Sequence, residues 1–313
     1  YGTGNEDDTT FDLSVYNADI TARAYFWYGE CLYRMKKYDE ALEQFNTYLK
    51  KTISMDQDEY RFAQYNIAYI YWNKNDYPNA STWFRKYEKI EKVNPVMRLD
   101  ALNRIGDCYF LQRNFTQALN SYNQSLAVGG NYAGVDYALY QKAFVLGLQK
   151  DYNAKIETLN DLQTRFPKSE WNDDAMFEIG KSYIALNKND EAISSFEEIA
   201  KTYPASSPVV RKAQLQIAML QFNTGKVSEA TATYKRVAVS YPNTEEAATA
   251  LSALESIMVD NNKVDEFNQL AQQLGKSSTT KEDSLQYKAA EKIYFKNRNK
   301  IIYHTEDYIH LSP

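Results

Sequence analysis

The stretch Asp173–Pro204, DDAMFEIGKSYIALNKNDEAISSFEEIAKTYP, contains two apolar stripes that are separated by a polar turn and followed by a proline. The stripes are formed by Met176, Ile179, Gly180 and Tyr183, and then by Ala192, Phe196 and Ile199. Their members step by three or four residues, which is the spacing of a helix that buries one face. Two helices of this length cannot enclose a core alone, so the stretch predicts a unit that stacks on copies of itself.

The same offsets recur along the chain. A small residue preceded by a large one is found at Tyr28-Gly29, Ile67-Ala68, Ile105-Gly106, Ile179-Gly180 and Ile217-Ala218. Twelve residues after each small residue comes an alanine, at Ala41, Ala80, Ala118, Ala192 and Ala230. Four residues later comes an aromatic, at Phe45, Phe84, Tyr122, Phe196 and Tyr234. A small residue on the first helix lets the second helix come close, and the aromatic ring fills the space between them.

This pattern resembles the tetratricopeptide repeat (TPR), a helix-turn-helix unit with these marks and a closing proline. Prolines at the closing position are Pro167, Pro204 and Pro242. One divergent unit keeps the small residue as Ala143 but has Lys155 and Leu159 at the other two marks. The resemblance implies an all-α fold, a right-handed α-solenoid of about seven or eight stacked units.

We predict one continuous array, because repeat proteins grow by stacking. The units lie near residues 22–55, 61–94, 99–130, 136–167, 173–204, 211–242, 248–275 and 282–313. Residues 1–18, rich in Gly, Thr and Asp, are predicted to be a poorly ordered N-terminal segment. The chain begins without Met, and Ile301 and Ile302 place apolar surface on the last unit. We therefore expect a piece of a longer protein that associates through an uncapped C-terminal end.

In the TPR family, the first helices of successive repeats line a concave groove, and six positions of each unit face into it. Nearly half of those positions in the first four units hold Phe, Tyr or Trp, whereas the last four units hold only Phe177, Phe222, Tyr287 and Tyr294 there. Aromatic side chains dominate binding hot spots because they give a large contact area for little lost entropy. The resemblance therefore implies a ligand groove in the first four units. Its candidate residues are Arg23, Phe26, Trp27, Glu30, Phe62, Tyr65, Asn66, Tyr69, Trp72, Asn103, Arg104, Asp107, Tyr137, Tyr140, Gln141 and Phe144.

The alternative is that these rings pack between neighbouring first helices and show only their edges. The kind of ligand is a separate question. Some TPR proteins clamp the terminal carboxylate of a chaperone with Lys and Asn side chains. Asn66 and Arg104 match that arrangement, but Phe26, Glu30 and Asp100 occupy its other positions. Two acids near an anion disfavour such a ligand, so an internal peptide segment or the surface of a folded partner is predicted.

Composition argues against two other classes of protein. A net charge of −5 and a pI near 5.3 disfavour a nucleic-acid-binding protein, which would carry a basic face. No apolar run approaches the ~18 residues of a membrane-spanning helix, so no transmembrane segment is predicted in this chain.

No catalytic, cofactor or metal site is predicted, and we expect the protein not to be an enzyme. The Gly-Lys-Ser sequences at 180–182 and 275–277 lack the glycine that a phosphate-binding loop needs five positions earlier. His304 and His310, the only histidines, have no neighbouring Cys or carboxylate cluster that would complete a zinc site.

Cys31 and Cys108 fall at equivalent positions of first helices, two repeats apart. Helices packed ~8–10 Å apart hold such positions too far from each other for a disulfide. We predict both to be small buried side chains.

The sequence thus predicts a non-enzymatic scaffold that binds a peptide or protein in its groove. The repeat endings at 165–167, 202–204 and 240–242 are similar to those of TPR proteins of the Gram-negative envelope, of the outer-membrane-assembly lipoprotein and Tol–Pal-associated types. That similarity implies a periplasmic or outer-membrane-associated protein in envelope assembly, with a cytoplasmic location left open. The alternatives are a glycan-binding module in which Trp27 and Trp72 stack on sugar rings, and a regulatory segment of a larger enzyme or signalling protein.

Overall fold

The structure is a computed structural model that describes residues 13–52, 55–276 and 283–292, with residues 13–16 described by their backbone alone. The regular elements within these ranges are all α-helices. They are α1 (Leu13–Arg34), α2 (Tyr38–Lys51), α3 (Asp58–Asn73), α4 (Tyr77–Glu88), α5 (Pro95–Leu111), α6 (Phe115–Ala127), α7 (Val135–Leu148), α8 (Tyr152–Arg165), α9 (Asn172–Ala185), α10 (Asn189–Thr202), α11 (Pro208–Asn223), α12 (Val227–Ser240), α13 (Glu245–Asp260), α14 (Val264–Gln273) and α15 (residues 283–292).

The predicted packing between the two helices of each pair is confirmed. All five alanines of the repeat pattern have no exposed surface, and the five aromatic residues four positions later are at most 4% exposed. In α5, a Cβ atom added to Gly106 would lie 2.5 Å from the ring of Tyr122 on α6, and Gly180 meets the ring of Phe196 at the same distance. Glycine is therefore required where the ring lies against the backbone. The chain is an α-solenoid built from such pairs.

The divergent fourth pair, α7 and α8, packs its two helices together through different residues. Lys155 stands where the other units have alanine, and it is only 7% exposed. Its aliphatic chain passes against Gly147 of α7, where an added Cβ would lie 3.1 Å from the Lys155 Cδ atom. Leu159 replaces the aromatic ring and is also buried. The missing side chain at Gly147 thus provides the room that the larger lysine takes up.

The turns within the pairs share one backbone conformation, which the sequence patterns did not predict. One residue of each turn has a positive φ, and these residues are Lys36, Asn75, Arg113, Lys150, Asn187, Gly225 and Asn262. After α1, the N–H of Lys37 donates to the carbonyl of Leu32 over 2.9 Å, which caps the end of the helix. Asp76, Asn114 and Asp151 then cap the next helix, each accepting a bond from a backbone N–H three residues on.

Contacts divide the chain into two compact units, which meet in sequence between Asn172 and Asp173. The first unit contains α1 to α8, and the second contains the helices from α9 onward. The single continuous array stays a prediction. Helix α1 begins at Leu13, earlier than the predicted boundary at residue 18. Residues 1–12, most of the predicted 282–313 unit and both histidines lie outside the described residues.

The two cysteines are both free, but only one is buried as predicted. Cys108 has no exposed surface and packs in the core that α3, α4 and α5 share, so burial raises the pKa of its thiol to about 12. Cys31, at the equivalent position of α1, is exposed. The prediction of a buried Cys31 is wrong because no described helix pair precedes α1 to cover this side.

Candidate functional site

The first helices of the first unit, α1, α3, α5 and α7, carry all sixteen candidate residues, and we call their surface the first-helix face. Its exposed candidates are Arg23, Trp27, Phe62 and Phe144. Half-buried candidates are Glu30, Tyr65, Asn66, Tyr69, Trp72, Arg104, Tyr137, Tyr140 and Gln141. Phe26, Asn103 and Asp107 are buried, so these three belong to the wall rather than to an open surface.

A pocket of about 440 Å³, which we call the apolar pocket, lies between α1 and α3. Its lining residues are Phe26, Trp27, Glu30, Arg34, Asp58, Glu59, Phe62 and Asn66. Trp27 is 54% exposed and Phe62 is 39% exposed, whereas Phe26 is buried between them and the α2 core. The ring of Trp27 meets Phe26 edge to face at 5.1 Å, which holds the indole in place. The pocket thus presents two exposed aromatic rings beside the buried Phe26.

The charged groups around the apolar pocket neutralise one another. Asn66 Nδ2 donates to Glu30 Oε2 over 2.6 Å. The ion pairs are Arg34–Glu30 (2.9 Å), Arg23–Glu59 (2.6 Å) and Arg61–Asp58 (2.7 Å). Because each carboxylate has its own partner, the pocket suits an apolar side chain better than an isolated charge.

Two tyrosines of α3 are tied to α5. The hydroxyls of Tyr65 and Tyr69 both donate to Asp100 Oδ2, over 2.5 and 2.6 Å. Burial, reinforced by the charge of Asp100, raises the pKa of both hydroxyls above the ordinary tyrosine value, so they remain donors at neutral pH. These two hydroxyls therefore join α3 to α5.

A second network surrounds Asp107, whose Oδ1 accepts hydrogen bonds from Tyr122 (2.6 Å) and Tyr137 (2.9 Å). Its Oδ2 pairs with Arg104 Nη1 at 2.7 Å. Burial raises the pKa of Asp107, although Arg104 and the two hydroxyls act in the opposite direction. Burial alone would lower the pKa of Arg104, but the charge of Asp107 and further neighbours outweighs it and raises that pKa. Asp107 is thus a structural centre that joins α5, α6 and α7.

Neither residue that matches a carboxylate clamp is available for a ligand. Asn66 is bound to Glu30, and Arg104 is bound to Asp107. Both clamp-matching side chains are therefore engaged within the chain itself.

The arrangement around Trp72 weakens the glycan alternative. The guanidinium of Arg104 lies 5.6 Å from the centre of the Trp72 ring, and Tyr77 meets the same ring edge to face at 5.5 Å. A sugar ring needs an open aromatic face on which to stack, and Arg104 already covers one face of Trp72.

A second pocket, of about 400 Å³, is lined by some of the candidate residues and by others that the sequence did not predict. We call it the acidic pocket. Its lining residues are Val96, Leu99, Asp100, Asn103, Arg104, Ala133, Gly134, Asp136, Tyr137, Glu170 and Trp171. Trp171 stacks on Tyr140 with ring centres 4.9 Å apart. Glu170 and Trp171 come from the connection after α8, and Asp136 from the start of α7. Sequence reasoning missed them because it considered only the six positions of each unit that face the family's groove.

A wider hollow of about 620 Å³ lies elsewhere in the first unit, lined by residues that include Leu49, Tyr60, Trp83 and Ile90. Leu49 belongs to α2, and Trp83 belongs to α4. None of the sixteen candidate residues lines it, although Tyr60 belongs to α3.

Within the described ranges, no group of three or more His, Cys, Asp or Glu residues is placed to hold a metal ion. None of the described helices combines the length and the apolar character that crossing a membrane requires.

Family models of the tetratricopeptide repeat match residues 22–52, 63–94, 137–169, 174–206 and 212–244, which together make up just over half of the chain. None of the curated proteins matches the sequence.

Among solved structures, the chain is similar to the C-terminal part of a TPR repeat-containing protein from Cytophaga hutchinsonii, with 17% identity and a TM-score of 0.60 over 83% of this chain and 98% of that one. It is also similar to PilF of Pseudomonas aeruginosa (13% identity, TM-score 0.48, 76% and 99% covered). A further similar structure is YrrB, a TPR protein with an unusual peptide-binding site (16% identity, TM-score 0.46, 65% and 91% covered). The first of these likenesses supports the shared helical fold.

Proposed function

Because this chain belongs to the tetratricopeptide-repeat family, we propose that it is a non-enzymatic scaffold whose first-helix face binds a peptide segment of a partner protein. The observation that carries this proposal is the apolar pocket, where Trp27 and Phe62 remain exposed although the surrounding charges are already paired. Repeats of this family generally serve protein–protein interaction rather than catalysis.

The chemistry of the apolar pocket specifies what kind of segment fits it. Two exposed rings above the buried Phe26 offer contact area to an aliphatic or aromatic side chain. The clamp positions Asn66 and Arg104 are used internally, so an internal segment fits better than a free C-terminus. The net charge of −5 supports a protein partner and not a nucleic acid.

The proposal is tested by selecting ligands for the whole chain from a random peptide library displayed on phage and measuring dissociation constants of the recovered peptides. Trp27→Ala and Phe62→Ala should each weaken binding about thirtyfold, since truncation of a hot-spot aromatic costs about 2 kcal/mol. Phe222→Ala is the matched control, because Phe222 is a comparably exposed aromatic on α11 of the second unit. It should leave binding within about twofold.

Two outcomes would contradict the scaffold proposal. One is that no peptide is recovered, and the other is that recovered peptides bind the Trp27→Ala, Phe62→Ala double variant as tightly as the native chain. A glycan array with the Trp27→Ala variant and with Trp72→Ala tests the alternative, because sugar binding that both substitutions weaken, with no peptide recovered, would favour the glycan module. Circular dichroism checks that each variant stays helical.

We also propose that the scaffold works in the Gram-negative cell envelope, in the periplasm or at the outer membrane. Only the Phe-Pro and Tyr-Pro repeat endings at 166–167, 203–204 and 241–242 support this step. Fractionation of cells that express the full-length gene product should place it in the periplasmic or outer-membrane fraction. Recovery in the cytoplasm alone would contradict the envelope role and leave peptide binding unaffected.

A further inference from the structure

The acidic pocket carries more negative charge than the chain itself neutralises. Among its lining residues are three carboxylates, those of Asp100, Asp136 and Glu170, and one cation, Arg104. Arg104 is already engaged by Asp107, 2.7 Å away, and lies 3.6 Å from Asp100. Neither Asp136 nor Glu170 has an ion-pair partner among the described residues, and Asp136 accepts only neutral hydrogen bonds, from the Ser169 hydroxyl and the Tyr137 N–H. The excess charge would favour a cation that enters the pocket.

Asn103 provides a second and independent indication of a ligand. It is 2% exposed, and its Nδ2 donates to the carbonyl of Gly134 over 3.0 Å. Its Oδ1 is a buried acceptor with no hydrogen-bond partner among the described residues. Gly134, with a φ of 93°, lets the loop come close enough to fix the amide in this orientation. A buried acceptor without a donor is costly, so the wall of the pocket favours a ligand that donates hydrogen bonds.

The pocket also contains aromatic rings that suit a planar cation. Tyr137 and Trp171 meet edge to face, with ring centres 5.7 Å apart. The guanidinium of Arg104 already lies 5.1 Å from the centre of the Tyr137 ring, which shows that this environment accepts such a group. Arginine offers five donors and a flat face, whereas lysine offers a strongly hydrated point charge.

We propose that the acidic pocket receives the arginine side chain of a partner segment. This inference rests on the proposed function, since it names a residue of the peptide that the first-helix face binds. Asp136 and Glu170 supply charge attraction, Trp171 supplies an aromatic surface, and the Asn103 wall supplies an acceptor. A phosphate or a carboxylate would meet three like charges here.

The test uses a probe that does not require the partner to be known. N-acetyl-arginine methylamide is titrated into the whole 15N-labelled chain, and NMR signals of the Trp171 indole and the Asn103 side-chain amide are followed. The citrulline analogue is the control ligand, because it has nearly the same shape without the charge. We expect saturable shifts of both signals with the arginine probe and at least about tenfold weaker binding of the citrulline probe.

The matched variants remove charge while keeping shape. Asp136→Asn with Glu170→Gln should weaken the arginine probe about tenfold, and the exposed Glu170→Gln alone should weaken it about threefold. Glu157→Gln with Asp161→Asn removes the same charge from the exposed side of α8 and should leave binding within about twofold. Equal binding of both probes, unsaturable shifts, or unchanged binding by the Asp136→Asn, Glu170→Gln variant would overturn the inference.

The two proposals fail in distinguishable ways. If selected peptides depend on Trp27 and Phe62 but the arginine probe does not bind, the arginine site is wrong and the scaffold stands. If the probe binds as expected but no peptide is recovered, the pocket is a cation site and the peptide-binding proposal fails.

Discussion

The two units of this chain share the packing between paired helices but differ in what their first helices present. Gly106 in the first unit and Gly180 in the second each meet an aromatic ring of the following helix at the same close distance. The next residue is Asp107 in the first unit, a buried centre of three polar contacts, and Lys181 in the second, an exposed side chain paired with Glu178. The repeat thus fixes how the helices of a pair pack, while its neighbouring positions are free to take other roles.

The largest expected effect comes from replacing the residue that follows the glycine in each unit. Asp107→Ala leaves Arg104 without its closest partner and the hydroxyls of Tyr122 and Tyr137 without an acceptor. It should lower the free energy of unfolding of the first unit by about 3–5 kcal/mol. Lys181→Ala should change the free energy of unfolding of the second unit by less than about 0.5 kcal/mol. Native-state hydrogen exchange, which reports each helix separately, measures both. Similar losses in the two units would show that Asp107 has no special structural role.

The shared packing predicts equal effects in the two units. Gly106→Ala and Gly180→Ala place a Cβ 2.5 Å from the fully buried rings of Tyr122 and Phe196. Each should destabilise its unit by about 1–3 kcal/mol, even though alanine favours helix more than glycine does. Gly29→Ala is a milder control, since the contact there is 3.0 Å. Urea denaturation measures the losses, and a large loss in one unit alone would contradict a common packing rule.

The pH dependence of stability should also differ between the units. Burial raises the folded-state pKa of Asp107, so the folded chain binds this proton more tightly than the unfolded chain. The stability that the bound proton adds is fully present below the unfolded pKa of about 3.9 and is lost as pH rises through the folded pKa. Relative to Asp107→Asn, the native chain should therefore lose stability with rising pH across that window, by at most about 1.4 kcal/mol per pH unit. Lys181→Ala should show no such difference from the native chain. Urea denaturation at a series of pH values between 3.5 and 7 measures it, and a relative gain in stability with pH would contradict the prediction.

The smallest expected effects concern the turns. Lys150 has a φ of 63° in a turn of the first unit, whereas Gly225 fills the equivalent place in the second with a φ of 80° and open space around it. Lys150→Gly should stabilise the first unit by about 0.5 kcal/mol, and Gly225→Ala should destabilise the second unit by about 1 kcal/mol. The reason is that only glycine adopts this backbone conformation without strain. Thermal denaturation measures both shifts. Opposite signs would indicate that the turns are held by side-chain contacts.

Much of the fold could be predicted from particular residues. Ala41, Ala118 and Ala230 mark buried positions at a constant offset from the small residue, because close helix packing leaves no room for a larger side chain. The exposure of Trp27 beside the buried Phe26 could not be predicted, since adjacent residues of a helix differ in burial according to what the neighbouring helix covers. The packing of Lys155 against Gly147 could not be predicted either, because no sequence pattern links these two positions.

The sequence by itself determined that the chain forms paired helices, because the periodic spacing of small and aromatic residues leaves them no other way to bury their apolar faces. It also predicted a candidate site on the first helices of the first four repeats. Only the tertiary structure decided which of those side chains remain open, because exposure depends on contacts between residues far apart in the chain. Such contacts tie Tyr65 and Tyr69 to Asp100, and bring Asp136, Glu170 and Trp171 to one pocket with Asn103.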